Sequence, residues 1–481
     1  MLELSSPPYG LRWRSSNSFI LGCVGIAIFT DLFLYGLVVP ILPFILKSRL
    51  HFPHSEIQES ISLLLAYYAG SSVLAALPEG YIADHLPTRR LPFLMGLMSL
   101  FISTFLLWLG QSWNILVLAR IIQGISASML WTVSLTLILD TVGSRRLGVA
   151  LSSIFGFVCV GQLFAPVIGG IVYQHLGEGW VFSIAFMLLI IDLVMRILII
   201  EKKVAKFHGW DKISSPSQHE VAQANETSPL ISNIDTSNSD LVKWKLPSTV
   251  PSWFSKLPVL YLTFTSPRIF ACLLLCFTHA MTLAIFDATL SIQSLDLFSF
   301  TSRSIGLMFM PLILPSLLIS PIIGVIIDRY GTKIPAATGL LILALPLSLF
   351  RIVKAVPPGG DGYVFEVTKF TILLVVCGFG IACISSECLI DVSLVVGNYE
   401  KANPERFPNG APYAQLYAIT NMIFSLGLTL GPLVASIIKL NFGYIVMNYC
   451  LAAWCVLVCI VCILFLGEKP KLRRKLCSNV H

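Results

Sequence analysis

The sequence predicts an all-α polytopic membrane protein, with twelve transmembrane helices arranged as two six-helix, pseudo-repeated bundles. The first reason is composition: 56% of the 481 residues are hydrophobic and only 12% are charged, about half the charged fraction of a soluble domain. The second reason is a series of apolar stretches that are long enough to cross a bilayer. The third is that similar short motifs recur in the two halves of the chain.

Twelve apolar stretches are separated by glycine, proline or charged residues, and a span of the hydrocarbon core needs about twenty residues. They cover approximately 18–46, 57–83, 91–110, 113–140, 147–174, 179–200, 267–290, 303–327, 334–354, 369–396, 413–438 and 443–466. The predicted organisation is an N-terminal tail at 1–17, a first bundle at 18–200, a linker at 201–266, a second bundle at 267–467 and a basic tail at 468–481. Because the linker is poor in apolar residues, it is expected to be mostly disordered.

The placement of basic residues predicts the orientation. Lysines and arginines collect in the tails, the linker and the connections on the same side, such as Arg12, Arg14, Arg145, Arg146 and Lys333. Positively charged connections stay in the cytoplasm, so both termini and the linker are predicted to be cytoplasmic, in a plasma membrane or a vacuolar or vesicular membrane. Since these residues are spread over short loops, no nucleic-acid partner is predicted.

The sequence lacks the motifs that several function classes require. The twelve cysteines lie mostly in apolar stretches, where Cys behaves as a small hydrophobe, so no disulfide framework, metal site or cofactor is predicted. The sequence has no GxxxxGK[ST] loop for nucleotide-driven pumping and no HExxH or clear Ser/His/Asp group for an intramembrane enzyme. We therefore predict a non-enzymatic protein. The lipid bilayer is its first predicted partner, and it is expected to act as a monomer.

The first span carries one carboxylate, Asp31, near its middle. A charge at that depth costs about 2.5–3.5 kcal/mol on insertion scales, so it persists mainly where it faces protein or a water-filled cavity. Pro40 and Pro43 interrupt the backbone ladder of the same helix, which also favours a helix that lines a cavity. Asp31 is either a functional charge or a structural group hydrogen-bonded to a neighbouring helix.

A glycine-to-aspartate motif ends span two at 80–90 and recurs at the end of span eight at 324–333. It resembles the Gly-x-x-x-Asp-Arg-x-Gly-Arg-Arg signature of the major facilitator superfamily, whose loop locks the two halves in one state. The resemblance implies the major facilitator fold and a gating role for this loop. His85, Pro87 and Thr88 depart from the signature. The lock is therefore expected to be weaker in the first copy or sensitive to pH, or the loop simply tolerates these changes. The matching residues are Gly80, Asp84, Arg89, Arg90, Asp328 and Arg329.

Two further motifs extend the resemblance. Arg120, Gln123 and Gly124 in span four resemble the Arg-x-x-Gln-Gly motif that the superfamily associates with proton coupling, and their shared face points Arg120 into the bundle rather than to an interface. Span five resembles the exporter motif Gly-x-x-x-Gly-Pro-x-x-Gly-Gly, and span eleven repeats its Gly-Pro. Such small residues predict gating, or close helix packing without directional meaning. They are Gly161, Pro166, Gly169, Gly170, Gly431 and Pro432.

Within the superfamily, the chain is similar to the twelve-span drug:proton antiporters, and among them to the vesicular amine transporters and their fungal relatives. Asp31 stands where that group has its amine-recognising Asp, Glu387 falls where its span-ten acid would lie, and Asn421 replaces a further Asp. Glu387 and Asp391 lie one helical turn apart, and carboxylates that close favour a shared proton. The alternative is that Asp391 faces cytoplasmic water.

These observations predict a secondary transporter that uses the proton gradient for efflux or vacuolar sequestration of a small amphipathic or cationic compound, as in multidrug efflux. A proton-coupled uptake symporter and a non-transporting sensor are the alternatives. The predicted proton-coupling residues are Asp31, Arg120, Glu387 and Asp391. The predicted substrate-binding residues are Asp31, Tyr35, Tyr67, Tyr68, Phe157, Tyr417 and Asn421, with the rings as cation–π surfaces. His279 and Asp287 are further candidates, and Asp192 with Arg196 is predicted to be a structural pair.

Overall fold

The structure, a computed structural model, describes residues 10–85, 88–142, 147–201, 244–246, 258–385, 387–407 and 413–467. All regular elements in these ranges are helices. The first half contains α1 (Leu11–Arg14), α2 (Asn17–Val38), α3 (Leu42–Arg49), α4 (His54–His85), α5 (Arg90–Leu109), α6 (Trp113–Val142), α7 (Leu147–Leu176) and α8 (Glu178–Leu198). The second half contains α9 (Pro258–Thr265), α10 (Pro267–Phe298), α11 (Ser302–Tyr330), α12 (Lys333–Leu349), α13 (Tyr363–Ile384), α14 (Glu387–Ala402), α15 (Tyr413–Phe442) and α16 (Tyr444–Phe465).

The predicted all-α polytopic fold is confirmed. Eleven helical segments of the described chain are long and apolar enough to cross a membrane. The first of them joins α2 to α3 through a 3₁₀ turn at Val39–Ile41, where Pro40 interrupts the regular helix. The remaining predicted span is α4, which has 32 residues and is about 48 Å long, enough to cross the hydrocarbon core.

Corresponding positions of the two halves have the same local structure. α2 packs along α7 in the first half, and α10 packs along α15 in the second. The turns after α7 and α15 each need a glycine, because Gly177 and Gly443 have φ angles of 84° and 86°, which side chains rarely adopt. The pseudo-repeat predicted from the motifs therefore extends to packing and turns.

The bundle has two ends, because consecutive spans run in opposite directions. We call the end that carries α1 and residue 201 the linker end, and the end that carries connections 50–53 and 110–112 the hairpin end. The halves are joined chiefly by α4 against α15 and by α7 against α11. These two helix pairs therefore form the seam around any site between the halves.

Part of the predicted linker is folded. α9 buries Val259 and Leu262, and the side chain of Trp244 is only 8% exposed. Trp244 packs edge-on against Tyr399 of α14, with 5.2 Å between ring centroids. Asn403 holds the backbone of the same segment: its Nδ2 donates to the carbonyl of Trp244, and its Oδ1 accepts from the N–H of Leu246, both at 2.9 Å. Residues 1–9, 202–243, 247–257 and 468–481 lie outside the described ranges.

Span ten is broken, whereas the sequence predicted a continuous span at 369–396. α13 ends at Ile384 and α14 begins at Glu387. α13 alone has 22 residues, enough to fill the hydrocarbon core, so α14 follows at the linker end. This break moves the predicted acids of span ten away from the middle of the membrane.

Candidate functional site

Asp31 lies in the middle of α2, fully buried, and neither of its carboxylate oxygens has a hydrogen-bond partner among the described residues. The charged groups that act on it electrostatically are Arg196 and Asp192 of α8. Those two already bind each other through hydrogen bonds of 2.9 and 2.6 Å, as the sequence predicted. Asp31 is thus not held by a described neighbouring helix, which was the structural alternative. A carboxylate in this position needs a proton, a cation or water to offset its burial.

Tyr35, one turn further along α2, connects the two halves. Its hydroxyl donates a 3.0 Å hydrogen bond to Oδ2 of Asp287 in α10, and its ring centroid lies 4.9 Å from that of Tyr68 in α4. The sequence named Asp287 only as a further candidate, because no motif surrounds it. The structure brings it into one group with the first-half residues. We call Asp31, Tyr35, Tyr68, Arg120 and Asp287 the central cluster.

Arg120 completes the central cluster from α6. It is fully buried, so it does not reach an interface. Its Nη1 donates to Oε1 of Gln123 at 2.8 Å, while Nε and Nη2 have no partner in the described part of the chain. It interacts electrostatically with Tyr35 and Tyr68. Gly124 makes this approach possible, because a Cβ there would lie 1.9 Å from the carbonyl oxygen of Tyr68. Within the motif, Arg120 therefore supplies a charge, Gln123 binds its guanidinium group, and Gly124 lets α4 come close.

The other predicted substrate-binding residues lie outside the central cluster. Tyr67 is 40% exposed and Phe157 is 39% exposed, so both present much of their rings to the helix surface. Tyr417, on α15, packs against a buried group of first-half residues. Asn421 lies one turn further along α15 and is half-buried. Among the predicted aromatic residues, Tyr35 and Tyr68 are the pair whose rings pack together in the described structure.

The predicted acidic pair of span ten lies at the linker end. Asp391 is 1% exposed, and its oxygens accept hydrogen bonds of 2.9 and 2.7 Å from Arg268 and one of 2.9 Å from the hydroxyl of Thr332. The interpretation that Asp391 faces water is wrong, because its charge is buried and matched by Arg268. Arg268 is the second residue of α10, which fixes this depth. Glu387 begins α14, one turn away, and its side chain lies outside the described structure.

The basic residues of the first-half loop brace that half internally. Arg89 lies 3.7 Å from Asp140 of α6, and Arg90 donates to the carbonyl of Ile197 at 2.8 Å and, through its backbone N–H, to Glu201 at 2.6 Å. All these partners belong to the first half, so these three contacts do not lock the two halves together as the resemblance implied. For the rest of the motif only the backbone is described, in the last turns of α4 and α11: Gly80, Asp84, Asp328 and Arg329.

The halves are in close contact at the hairpin end. Lys439 of α15 donates to Oε1 of Gln58 in α4 at 2.9 Å, and Nε2 of Gln58 donates to the carbonyl of Ala288 in α10 at 3.1 Å. On the other side of the seam, a Cβ on Gly170 would lie only 2.3 Å from the carbonyl oxygen of Ser302. The backbones of α7 and α11 can touch there only because residue 170 is glycine.

The remaining glycines of the packing motifs serve contacts within one half. A Cβ on Gly169 would lie 2.2 Å from the carbonyl oxygen of Leu37, and one on Gly161 would lie 3.3 Å from that of Phe29, both in α2. In the second half, a Cβ on Gly431 would lie 2.8 Å from the carbonyl oxygen of Met281 in α10. One face of the span-five motif therefore packs on α2 within the first half, and another face packs on α11 across the seam. Two buried prolines lie inside the same helices: Pro166 and Pro432.

Comparisons with known proteins agree with this architecture. The chain is 36% identical to "MFS-type transporter ppzB" of Metarhizium rileyi, over 96% of this chain and 97% of that protein. It is 34% identical to "Uncharacterized MFS-type transporter C18.02" of Schizosaccharomyces pombe, over 92% of this chain and 95% of that protein. It is 24% identical to the vesicular acetylcholine transporter of Drosophila melanogaster, over 91% of this chain and 70% of that protein.

Solved structures show the same fold at low sequence identity. The human organic anion transporter MFSD10 (TETRAN) has a TM-score of 0.60 and 17% identity, covering 95% of this chain and 100% of that chain. The nucleoside transporter NupG has a TM-score of 0.57 and 15% identity, covering 94% and 100%. A family profile described as the Major Facilitator Superfamily matches residues 24–403. This chain is therefore a multi-pass membrane transporter that belongs to the Major Facilitator Superfamily.

Proposed function

We propose that this transporter is a proton-coupled antiporter for a small organic cation, moved by alternating access between the two halves. The observation that carries the proposal is Asp31, buried in the central cluster with both carboxylate oxygens unpartnered among the described residues. A proton and a cationic substrate can each neutralise this carboxylate, but not both at once. Binding of one therefore weakens binding of the other, which is the thermodynamic requirement for exchange. The rings of Tyr35 and Tyr68 offer cation–π contacts beside it.

The hydrogen bond between Tyr35 and Asp287 supplies a link between protonation and movement. It joins α2 of one half to α10 of the other. A hydroxyl binds an ionised carboxylate more strongly than a neutral acid, so protonation of Asp287 weakens this contact between the halves. The protonated and ionised forms of the central cluster thus favour different arrangements of the halves, as a coupled cycle requires.

The other predicted residues take different places in this proposal. Arg120 supplies a positive charge beside Tyr35 and Tyr68 in the central cluster. Glu387 remains a proposed proton-coupling residue at the linker end, whereas Asp391 is left out because Arg268 neutralises it. The name of the acetylcholine-transporting relatives supports a cationic substrate class. In the symporter alternative, proton and substrate move in the same direction. In the sensor alternative, no substrate is transported.

The test compares a cation with its neutral isostere. We expect Asp31→Asn to weaken binding of acetylcholine about tenfold or more, while 3,3-dimethylbutyl acetate, which replaces the charged nitrogen by carbon, changes by less than about twofold. Binding is measured on purified protein across a panel of amines and their carbon isosteres, with this pair first. Asp361→Asn, which changes an exposed acid, is the matched control. Equal losses for both ligands in a folded variant would make Asp31 structural, and accumulation that requires external acid would replace antiport by symport.

We also propose that both termini and the linker are cytoplasmic, as the basic residues predict, and that the membrane is vesicular or vacuolar, which the vesicular relatives support. A protease site inserted at Ser228 is then expected to be cut when protease is added to sealed vesicles or vacuoles isolated with their cytoplasmic face outwards. Protection of the site until the vesicles are lysed, with a luminal marker protein protected in the same way, would reverse the orientation.

A further inference from the structure

Glu79 of α4 is a buried acid that the sequence motifs did not single out. It is 7% exposed, and neither of its carboxylate oxygens has a hydrogen-bond partner in the described structure. In the sequence it directly precedes Gly80, near the end of span two, where a polar residue is expected to face water. The structure instead encloses it between α4 and its neighbours. An ionised carboxylate without a partner is costly in such a place, so Glu79 is stable when it carries a proton.

Glu79 shares one face of α4 with two other buried polar residues. Tyr68, Ser72 and Glu79 are spaced by four and seven residues, which places them on one face of a helix. Tyr68 belongs to the central cluster. The hydroxyl of Ser72 lies 3.3 Å from that of Ser425 in α15, and either can be the donor. A hydroxyl that can act as donor or acceptor is able to pass a proton on without holding a charge.

Along the long axis of the bundle, Glu79 lies between the central cluster and the linker end. Asp31 is 14 residues from the start of α2 at the linker end, about 21 Å along the helix, whereas Glu79 is six residues from the end of α4 there, about 9 Å. Asp31 therefore cannot reach the aqueous phase at the linker end by itself. Glu79 divides this distance into two shorter steps along one helix face.

Among the described residues, the groups that face Glu79 include no ionic partner. From α6, the hydroxyl of Ser128 lies beside it, buried and without a well-formed hydrogen bond. From α15, the Gln58–Lys439 and Ser72–Ser425 contacts set an antiparallel register that brings Ala418, next to Tyr417 in the chain, to the level of Glu79.

The charges at the nearby end of α6 belong to Asp140, which pairs with Arg89. As far as the described residues are concerned, Glu79 can therefore gain and lose a proton without breaking an ion pair.

We propose that Glu79 is a second proton-exchange residue, which passes protons between the linker end and the central cluster along the face of α4 marked by Tyr68 and Ser72. The proposal rests on the proton-coupled function proposed above. A proton released by Asp31 enters a chain of hydroxyls and bridging water, in which each oxygen accepts one proton and gives one up. The last oxygen protonates Glu79, which becomes a neutral acid. Glu79 then releases the proton to water when the linker end opens, and regains its charge.

The functional test uses Glu79→Gln, which keeps the shape of the protonated acid and cannot exchange a proton. In proteoliposomes with radiolabelled acetylcholine, we expect accumulation driven by a pH gradient to fall at least about tenfold. Counterflow without a gradient, which exchanges labelled for unlabelled acetylcholine, should stay within about twofold of the parent, since it needs no net proton movement. Glu59→Gln, at an exposed position of the same helix, is the matched control and should accumulate normally. Accumulation by Glu79→Gln equal to that of Glu59→Gln would overturn the proposal.

A second measurement needs no substrate. In an infrared pH titration of the purified parent protein, we expect a band from a protonated carboxyl group near neutral pH. This band should be absent from Glu79→Gln. Glu79→Asp should restore a carboxyl band and part of the accumulation. Identical titrations of the parent and Glu79→Gln proteins would overturn the proposal. The two proposals fail differently. If the parent protein does not accumulate acetylcholine in response to a pH gradient, proton coupling is refuted. If the parent does and Glu79→Gln accumulates equally, only the role of Glu79 is refuted.

Discussion

Gly170→Leu is expected to stop the transport cycle by keeping the hairpin end from closing. Even a Cβ at this position would lie 2.3 Å from the carbonyl oxygen of Ser302 in the other half. Overpacking of this kind costs about 1–3 kcal/mol, which lowers the population of the closed state about 5- to 150-fold. We expect turnover to fall by a similar factor. A cysteine at Thr301 should react faster with a membrane-impermeant maleimide in this variant than in the parent.

Two other glycines of α7 serve as controls for this variant. Gly156 has open space around the position of a Cβ, so Gly156→Leu should transport and label like the parent. Gly169 packs against Leu37 within the first half, so Gly169→Leu should reduce the melting temperature in both access states without a selective change in labelling. If Gly170→Leu behaves like Gly156→Leu, the contact between α7 and α11 has no gating role.

Arg196→Leu is expected to cause a large loss of stability. Arg196 binds Asp192, donates to the carbonyl of Phe93 at 2.5 Å and lies 4.1 Å over the ring of Phe93. Its removal leaves Asp192 fully buried without a counter-charge, which typically costs about 3–5 kcal/mol. The measurement is thermal unfolding in detergent, followed by size-exclusion elution.

The double variant Arg196→Leu with Asp192→Leu should recover most of this loss, because replacing both members of a buried ion pair by apolar residues is often nearly neutral. Arg303→Leu, at an exposed arginine of the hairpin end, is the control for removal of a positive charge. A double variant that is no more stable than Arg196→Leu would show that the loss does not come from an unpaired Asp192.

The charges that were placed correctly from the sequence are those with few alternatives. Asp192 and Arg196 lie four residues apart on an apolar helix, so each is the nearest partner for the other. Arg120 is followed by Gln123 and Gly124 on one face, and the structure uses all three together. In these cases the helical period alone sets the neighbours, because the hydrocarbon core of a bilayer offers no water as another partner.

Contacts between distant segments could not be predicted in this way. Asp391 meets Arg268, which lies 123 positions away in the chain, so the local spacing to Glu387 gave the wrong depth and the wrong partner. Gly169 and Gly170 are adjacent in one motif, yet one packs within its half and the other across the seam. Small residues indicate close approach, but they do not tell which helix approaches.

Trp244 changes where the second half begins as a folding unit. Its indole covers the ring of Tyr399, and its backbone binds the amide of Asn403, although it precedes the first helix of that half by more than a dozen residues. A truncated chain or a chimera divided at the start of α10 would expose this aromatic surface and leave the amide of Asn403 without its partner. The boundary for dividing, permuting or exchanging the halves therefore lies before Trp244, in residues 202–243.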